Sequence, residues 1–120
     1  DYRVAEAATS KIKKSEIEMT LTLVRNPDIL ATIAAAKPRP FCVGFAAETD
    51  NLAGNAQEKL RNKNLDLIVA NNATDTFGSD DATTTVYWKD GELALEPQSK
   101  AQLARRLIAL ISERSRTAHD

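Results

Sequence analysis

A chain of 120 residues with 42% hydrophobic side chains carries enough apolar surface for one core, so a single compact unit is expected. Its formal net charge of −1 excludes the broad positive field that nonspecific binding to nucleic acid or anionic membrane requires, which leaves any phosphate binding to a local cluster. No apolar run approaches the roughly 18 residues of a membrane span and no leader-type segment opens the chain, so the expectation is a soluble, cytoplasmic protein with no membrane or nucleic-acid partner.

Residues 1–17 are polar, carry Lys11, Lys13 and Lys14, and read as a loop. From Glu18 the chain alternates, with Met19, Leu21 and Leu23 on one side and Thr20 and Thr22 on the other, the pattern of a half-buried strand ending near Arg25. Asn26 before Pro27 predicts a helix start, because asparagine caps free amides and proline at the first helical position loses no hydrogen bond. That helix should run to about Ala36, burying Ile29, Leu30 and Ile33 with Ala34 beside them, until the two prolines of residues 37–40 stop it.

Residues 41–47 form an apolar run of strand length, as expected of a strand covered on both faces. Cys42 lies in it; as the only cysteine it makes no intrachain disulfide, and it reads as a buried core thiol. Thr49 and Asp50 can cap a second helix over residues 51–63 with Leu52, Ala56 and Leu60 inward, and residues 65–70 give the next strand. Strand, helix, strand, helix, strand with short links predicts crossover units and a parallel sheet covered by helices.

The chain then changes character. Residues 83–88 are β-branched and aromatic and run into Lys89-Asp90-Gly91-Glu92, a hairpin signal. Ser99 and Gln102 form a capping box for a last helix with Leu103, Leu107, Ile108 and Ile111 inward, and residues 115–120 are expected to fray. The expected class is therefore α/β: a Rossmann-like, three-layer fold with a mainly parallel sheet plus an antiparallel β-hairpin.

In an open parallel sheet, ligands bind beyond the carboxyl ends of the strands, where helix starts present free amides. The loops after Arg25 and within residues 44–49 should line that rim. Phe45 could pack on a base or sugar, although an aromatic at a strand end is more commonly core. Lys59 and Lys63, four apart on one helix, can clamp adjacent phosphates, although lysines near a helix carboxyl end are more commonly solvated partners of its dipole. The cluster Lys11-Ile12-Lys13-Lys14 is by the same measure more commonly a solvated loop. Asp80 and Asp81 could hold a cation, but Gly78 and Ser79 beside them make a turn the better reading, and no protein-metal motif is present.

The ordered set Asp1-Tyr2-Arg3, Lys11-Ile12-Lys13-Lys14, Asn26-Pro27-Asp28-Ile29, Gly44-Phe45-Ala46-Ala47-Glu48-Thr49 and Lys59 to Asn72, with Asn64-Leu65-Asp66-Leu67-Ile68-Val69-Ala70-Asn71 inside it, resembles the synthetase domain of bacterial bifunctional phosphopantothenoylcysteine decarboxylase/synthetases, over nearly the whole chain. The resemblance implies a phosphopantothenate–cysteine ligase of coenzyme A biosynthesis. In that chemistry the carboxylate of 4′-phosphopantothenate attacks the α-phosphate of CTP to give an acyl-cytidylate and pyrophosphate, and the amine of cysteine then displaces CMP. It also implies Mg²⁺ carried on the nucleotide, FMN only where an upstream decarboxylase domain is fused, and a homodimer or higher oligomer. By the same resemblance Lys11 is catalytic and stabilises charge during acyl transfer, with a mobile flap running from it through Lys14 to Glu18. Lys59 and Lys63 hold the triphosphate; Phe45 with Pro27, Asp28, Ile29 and Leu30 shapes the nucleotide pocket; Asp1 touches the nucleotide.

One departure stands out. The family's upstream glycine-containing nucleotide loop, and the asparagine there that handles the acyl intermediate, have no counterpart among these residues. Residues 1–120 are therefore expected to be the C-terminal part of one synthetase domain, lacking its upstream segment and inactive alone. The alternatives are a noncatalytic nucleotide-binding module and a dimerisation module built on the hairpin.

Overall fold

The computed structural model of the chain describes residues 1–14, 17–72 and 83–119. In chain order the elements are β1 (Tyr2–Val4), β2 (Leu23–Arg25), α1 (Ile29–Ala34), β3 (Val43–Glu48), α2 (Leu52–Asn62), β4 (Leu67–Asn72), β5 (Thr84–Trp88), β6 (Gly91–Leu95) and α3 (Lys100–His119). Strands β3 to β6 form one sheet in the order β3-β4-β5-β6. The β3–β4 ladder is parallel, joined by the α2 crossover, whereas β4–β5 and β5–β6 are antiparallel. The hairpin closes through Lys89-Asp90, with Trp88 opposite Gly91, as its turn residues predict.

Three layers follow from how β4 alternates. Ile68 and Ala70 join Ala34, Cys42, Ala46, Ala56 and Leu60 on the face covered by α1 and α2. Leu67 and Val69 join Val86, Leu95, Leu107 and Leu110 on the face covered by α3. A strand buried on both sides reads as an unbroken apolar run, which is what residues 67–70 are. Leu67, Ile68, Val69 and Val86 are fully buried, each contributing about 1.5–3 kcal/mol relative to exposure.

A polar clamp ties the starts of the two parallel strands together. Both terminal nitrogens of Arg39 donate to Asp66 Oδ2 at 2.9 Å, and one also donates to the Asn64 carbonyl at 3.0 Å. The Cys42 amide donates to the same Asp66 oxygen at 2.7 Å. With the lower ends tied, the upper ends come level, Glu48 beside Asn72. Cys42 is buried, as expected of a core thiol.

Several expectations need correction. Residues 1–17 are not all loop, since Tyr2–Val4 is a strand, paired antiparallel with β2. The strand expected from Glu18 is regular only over Leu23–Arg25, and it joins β1 instead of leading the parallel set. Met19, Leu21 and Leu23, expected on its buried side, are exposed. Helix α1 is shorter than expected and is capped by Asp28, whose carboxylate accepts from the Ala31 amide at 3.0 Å. Of its expected inward stripe, Ala34 is buried and Leu30 packs on the core, while Ile29 and Ile33 are exposed, because so short a helix meets the sheet along one line only.

Helix α2 buries Ala56 and Leu60 and packs Leu52 as expected, but starts behind Asn51 in a left-handed conformation (φ 44°) without a side-chain cap from Thr49 or Asp50. In α3 the capping box is reciprocal: Gln102 N donates to Ser99 Oγ at 3.2 Å and Ser99 N to Gln102 Oε1 at 3.3 Å. Leu107 and Leu110 provide its buried line, flanked by Leu103 and Ile111, whereas Ile108 is 67% exposed. The helix continues to His119 instead of fraying from 115. Part of its last turns is anchored by Arg114, whose guanidinium lies 3.7 Å over the Trp88 ring. Gly78, Ser79, Asp80 and Asp81 lie outside the described residues.

The α3 docking line is checked by paired truncations. Leu107→Ala should cost about 2–5 kcal/mol in denaturant unfolding, and Ile108→Ala should stay within about 0.5 kcal/mol of the parent.

Candidate functional site

Because β3 and β4 are parallel, their carboxyl ends share one rim, and the chain leaving β3 turns there into α2. Beside that rim a cleft of about 550 Å³ opens between the start of α1 and the outward flank of α2, lined by Arg25, Asp28, Ala31, Glu48, Asn55, Glu58, Lys59, Asn62 and Lys63. The α2 members are spaced three and four apart, so they form one helical face, turned away from the buried face of Ala56 and Leu60.

Two ion pairs organise the cleft. Lys59 Nζ contacts Oε1 of Glu48, and Lys63 Nζ lies 3.0 Å from Oδ2 of Asp28. The Glu48 side chain is only 14% exposed. Its Oε1 is buried and has the Lys59 ammonium as its charge partner. A buried carboxylate without a cation would carry a heavy desolvation cost, so Lys59 is bound to stay beside it. Asp28 has two tasks, capping α1 through Oδ1 and holding Lys63 through Oδ2. Its carboxyl is held below its ordinary value of 3.8, chiefly by the hydrogen bond from the Ala31 amide and next by that from Lys63, with smaller help from the charges of Lys63 and Arg25 against a modest opposing desolvation.

The structure therefore brings Asp28, Lys59 and Lys63 together, with Ile29 and Leu30 following Asp28 in α1. Leu30 itself turns to the core, where it would meet a Cβ at Gly44 at 3.3 Å. Pro27 is exposed at the corner before Asp28. Asp1 is adjacent to the same corner, since its carbonyl accepts from the Asn26 amide at 2.9 Å. Lys11 is exposed in the segment between β1 and β2 and does not line the cleft. Phe45 is 71% exposed, so the core reading fails; by strand alternation it points to the face of β3 opposite Glu48, away from the cleft.

Sequence reasoning assigned no role to Arg25, Asn55, Glu58 or Asn62, and quoted Glu48 only within its loop. The helical residues were recoverable: steps of −4 and +3 from Lys59 reach Asn55 and Asn62 on one face. Nothing in the spacing placed Arg25, because it enters from a separate ribbon.

Residues 1–114 match the family described as DNA/pantothenate metabolism flavoprotein C-terminal domain. The chain is similar to the "Coenzyme A biosynthesis bifunctional protein CoaBC" of Haemophilus influenzae, 45% identical over 117 residues covering 95% of this chain and 29% of that protein. To the protein of the same name from Escherichia coli it is 44% identical over 115 residues, covering 90% and 28% respectively. Among solved structures, the crystal structure of the C-terminal domain of the coenzyme A biosynthesis bifunctional protein CoaBC superposes with a TM-score of 0.73 at 32% identity, covering all of this chain and 51% of the other. The chain thus spans less than a third of those curated relatives and about half of that solved domain.

The Asp28 pair is open to titration. A carboxyl whose folded pKa is depressed adds stability above its unfolded value, and loses it as pH falls through the folded one. The Asp28 carboxyl resonance should therefore titrate below 3.8, and Lys63→Gln should move its midpoint upward. An unmoved midpoint in that variant would remove Lys63 from the pair.

Proposed function

The chain belongs to the DNA/pantothenate metabolism flavoprotein C-terminal domain family, and from that premise we propose that it is part of the ligase domain of a coenzyme A biosynthesis protein, in which the cleft between α1 and α2 receives the polyphosphate of CTP. The observation that carries the reading is the meeting of Lys59, Lys63 and the Asp28 corner in one open cleft beside the carboxyl rim of a parallel pair. Cations fixed where oxygen charge builds up are what nucleotidyl transfer requires of a protein.

In this reading 4′-phosphopantothenate is activated as its acyl-cytidylate with release of pyrophosphate, and cysteine displaces CMP. Lys59 and Lys63 hold phosphate oxygens, each keeping its carboxylate on one side and donating with its remaining N–H groups. Lys11 belongs to the segment between β1 and β2, which would close over the reacting carbonyl and exclude water. The glycine loop and the asparagine that handles the acyl intermediate belong to the remainder of the domain. So does the covering for Phe45 that would bring an aromatic ring to a base.

Mg²⁺ would enter the cleft as a passenger on the nucleotide. Carried so, it would neutralise phosphate oxygens. FMN has its place in a decarboxylase domain, not here. Homodimeric assembly and a cytoplasmic setting complete the proposal. No described helix is long and apolar enough to cross a membrane.

Calorimetry on the complete protein tests the reading. Lys59→Gln and Lys63→Gln should each weaken CTP binding roughly tenfold or more, on the scale of a lost charge-assisted hydrogen bond. Parental affinity in both variants would return these lysines to the role of solvated ion pairs. With 4′-phosphopantothenate and cysteine present, the parent should release pyrophosphate; CTP binding without release would leave a nucleotide-binding module in place of a ligase.

A further inference from the structure

The charges around the cleft are balanced, which raises the question of what attracts a polyanion. Three cationic side chains, Arg25, Lys59 and Lys63, face three acidic ones, Asp28, Glu48 and Glu58. Lys59 is committed to Glu48 and Lys63 to Asp28. Lys59 cannot leave without stranding the largely buried Glu48 carboxylate, whereas Asp28 is open to solvent and keeps Lys63 by a surface ion pair. Among the described residues Arg25 makes no ion pair, although it lines the same space.

Arg25 is also anchored at its base. It ends β2, directly opposite Tyr2, and its carbonyl accepts from Arg3 Nη1 at 3.0 Å. Arg3 Nη1 reaches Asn26 Oδ1 at 3.3 Å as well, and the Asn26 amide donates to Asp1 O. The backbone that carries Arg25 is thus tied on both sides, while its side chain is left exposed at the cleft. Its charge is felt across the opening, since it contributes to the lowered pKa of Asp28. A guanidinium presents a planar fork that matches two phosphate oxygens at once, which an ammonium cannot do.

We propose that Arg25 is the principal phosphate-binding side chain of the cleft, taking two oxygens of the nucleotide polyphosphate through its guanidinium fork while Lys59 and Lys63 remain in their carboxylate pairs and supply supporting contacts. The inference rests on the reading of the cleft as a nucleotide site. It also gives the β1–β2 ribbon a purpose, that of presenting the lining cation that, among the described residues, is in no ion pair.

The test uses the complete protein, titrated calorimetrically with CTP and with inorganic tripolyphosphate, for the parent and for Arg25→Gln, Arg25→Lys, Lys59→Gln and Lys63→Gln. Arg25→Gln should weaken both ligands by roughly ten- to a hundredfold, the scale of hydrogen bonds to a charged group. Arg25→Lys should fall between it and the parent, since charge is kept and the fork is lost. If Arg25→Gln and Arg25→Lys bind both ligands with parental affinity while either lysine variant is weakened, Arg25 is not a phosphate ligand and the nucleotide reading survives. If all four variants bind as the parent does, the nucleotide reading itself fails. Loss of CTP affinity without loss of tripolyphosphate affinity would place Arg25 on the base or sugar and overturn the proposal. Arg25 is exposed, so thermal unfolding should be parental in both variants. Should Arg25→Gln unfold, Arg25→Lys decides: parental affinity for tripolyphosphate overturns the fork, and a several-fold loss supports it.

Discussion

The parallel pairing of β3 with β4 is the constraint from which the remaining architecture follows. Parallel strands must be joined by a crossover, and the crossover here is α2, which covers one face of the pair while α3 covers the other. Burial on both faces requires the unbroken apolar run at residues 67–70. The carboxylate of Asp66, gripped by Arg39 and the Cys42 amide, sets the two strands level at their beginnings. Their ends then emerge together, so Glu48 can stand against the flank of α2.

Charge pairing decides what that flank offers. A lysine at the surface of a helix is ordinarily mobile, and ordering it costs side-chain entropy. Glu48 and Asp28 limit that freedom for Lys59 and Lys63, at the expense of neutralising them. The cleft therefore has well-placed ammonium groups but little net field of its own. The one lining cation that makes no ion pair among the described residues comes from the ribbon, through Arg25, with Glu58 likewise unpaired on α2. Preorganised donors and an unpaired guanidinium thus arise from different elements, and only their meeting makes a site for an anion.

The family relationship gives this geometry its chemical context. A solved relative at 32% identity covers every residue of the chain with about half of its own length, so the three-layer unit is shared and the rest of that domain lies beyond it. Among the described residues, Phe45 on β3 and Leu21 and Leu23 on the ribbon are exposed apolar side chains.

Much of the architecture was legible in the residues. Periodicity located the apolar strands and the inward line of α2, turn chemistry located the hairpin, and Ser99 with Gln102 marked the start of α3. Those features are local: each depends on residues within a few positions of one another. The partner of β2 was not legible, because a half-buried alternation states that one side is apolar and not which strand will lie beside it. The same limit misassigned one member of the inward line of α3, Ile108 in place of Leu110, since the two are equally apolar and only the sheet beneath selects between them. In the site, spacing put Lys59 and Lys63 on one face, but the carboxylates that claim them come from 11 and 35 residues away, and Arg25 from a different sheet. By itself the sequence determined which segments fold and which side chains could carry charge to a phosphate. Tertiary structure alone decided which of them share a cleft, because ion pairing and strand choice are contests between groups remote along the chain, and those are settled only when the whole core closes.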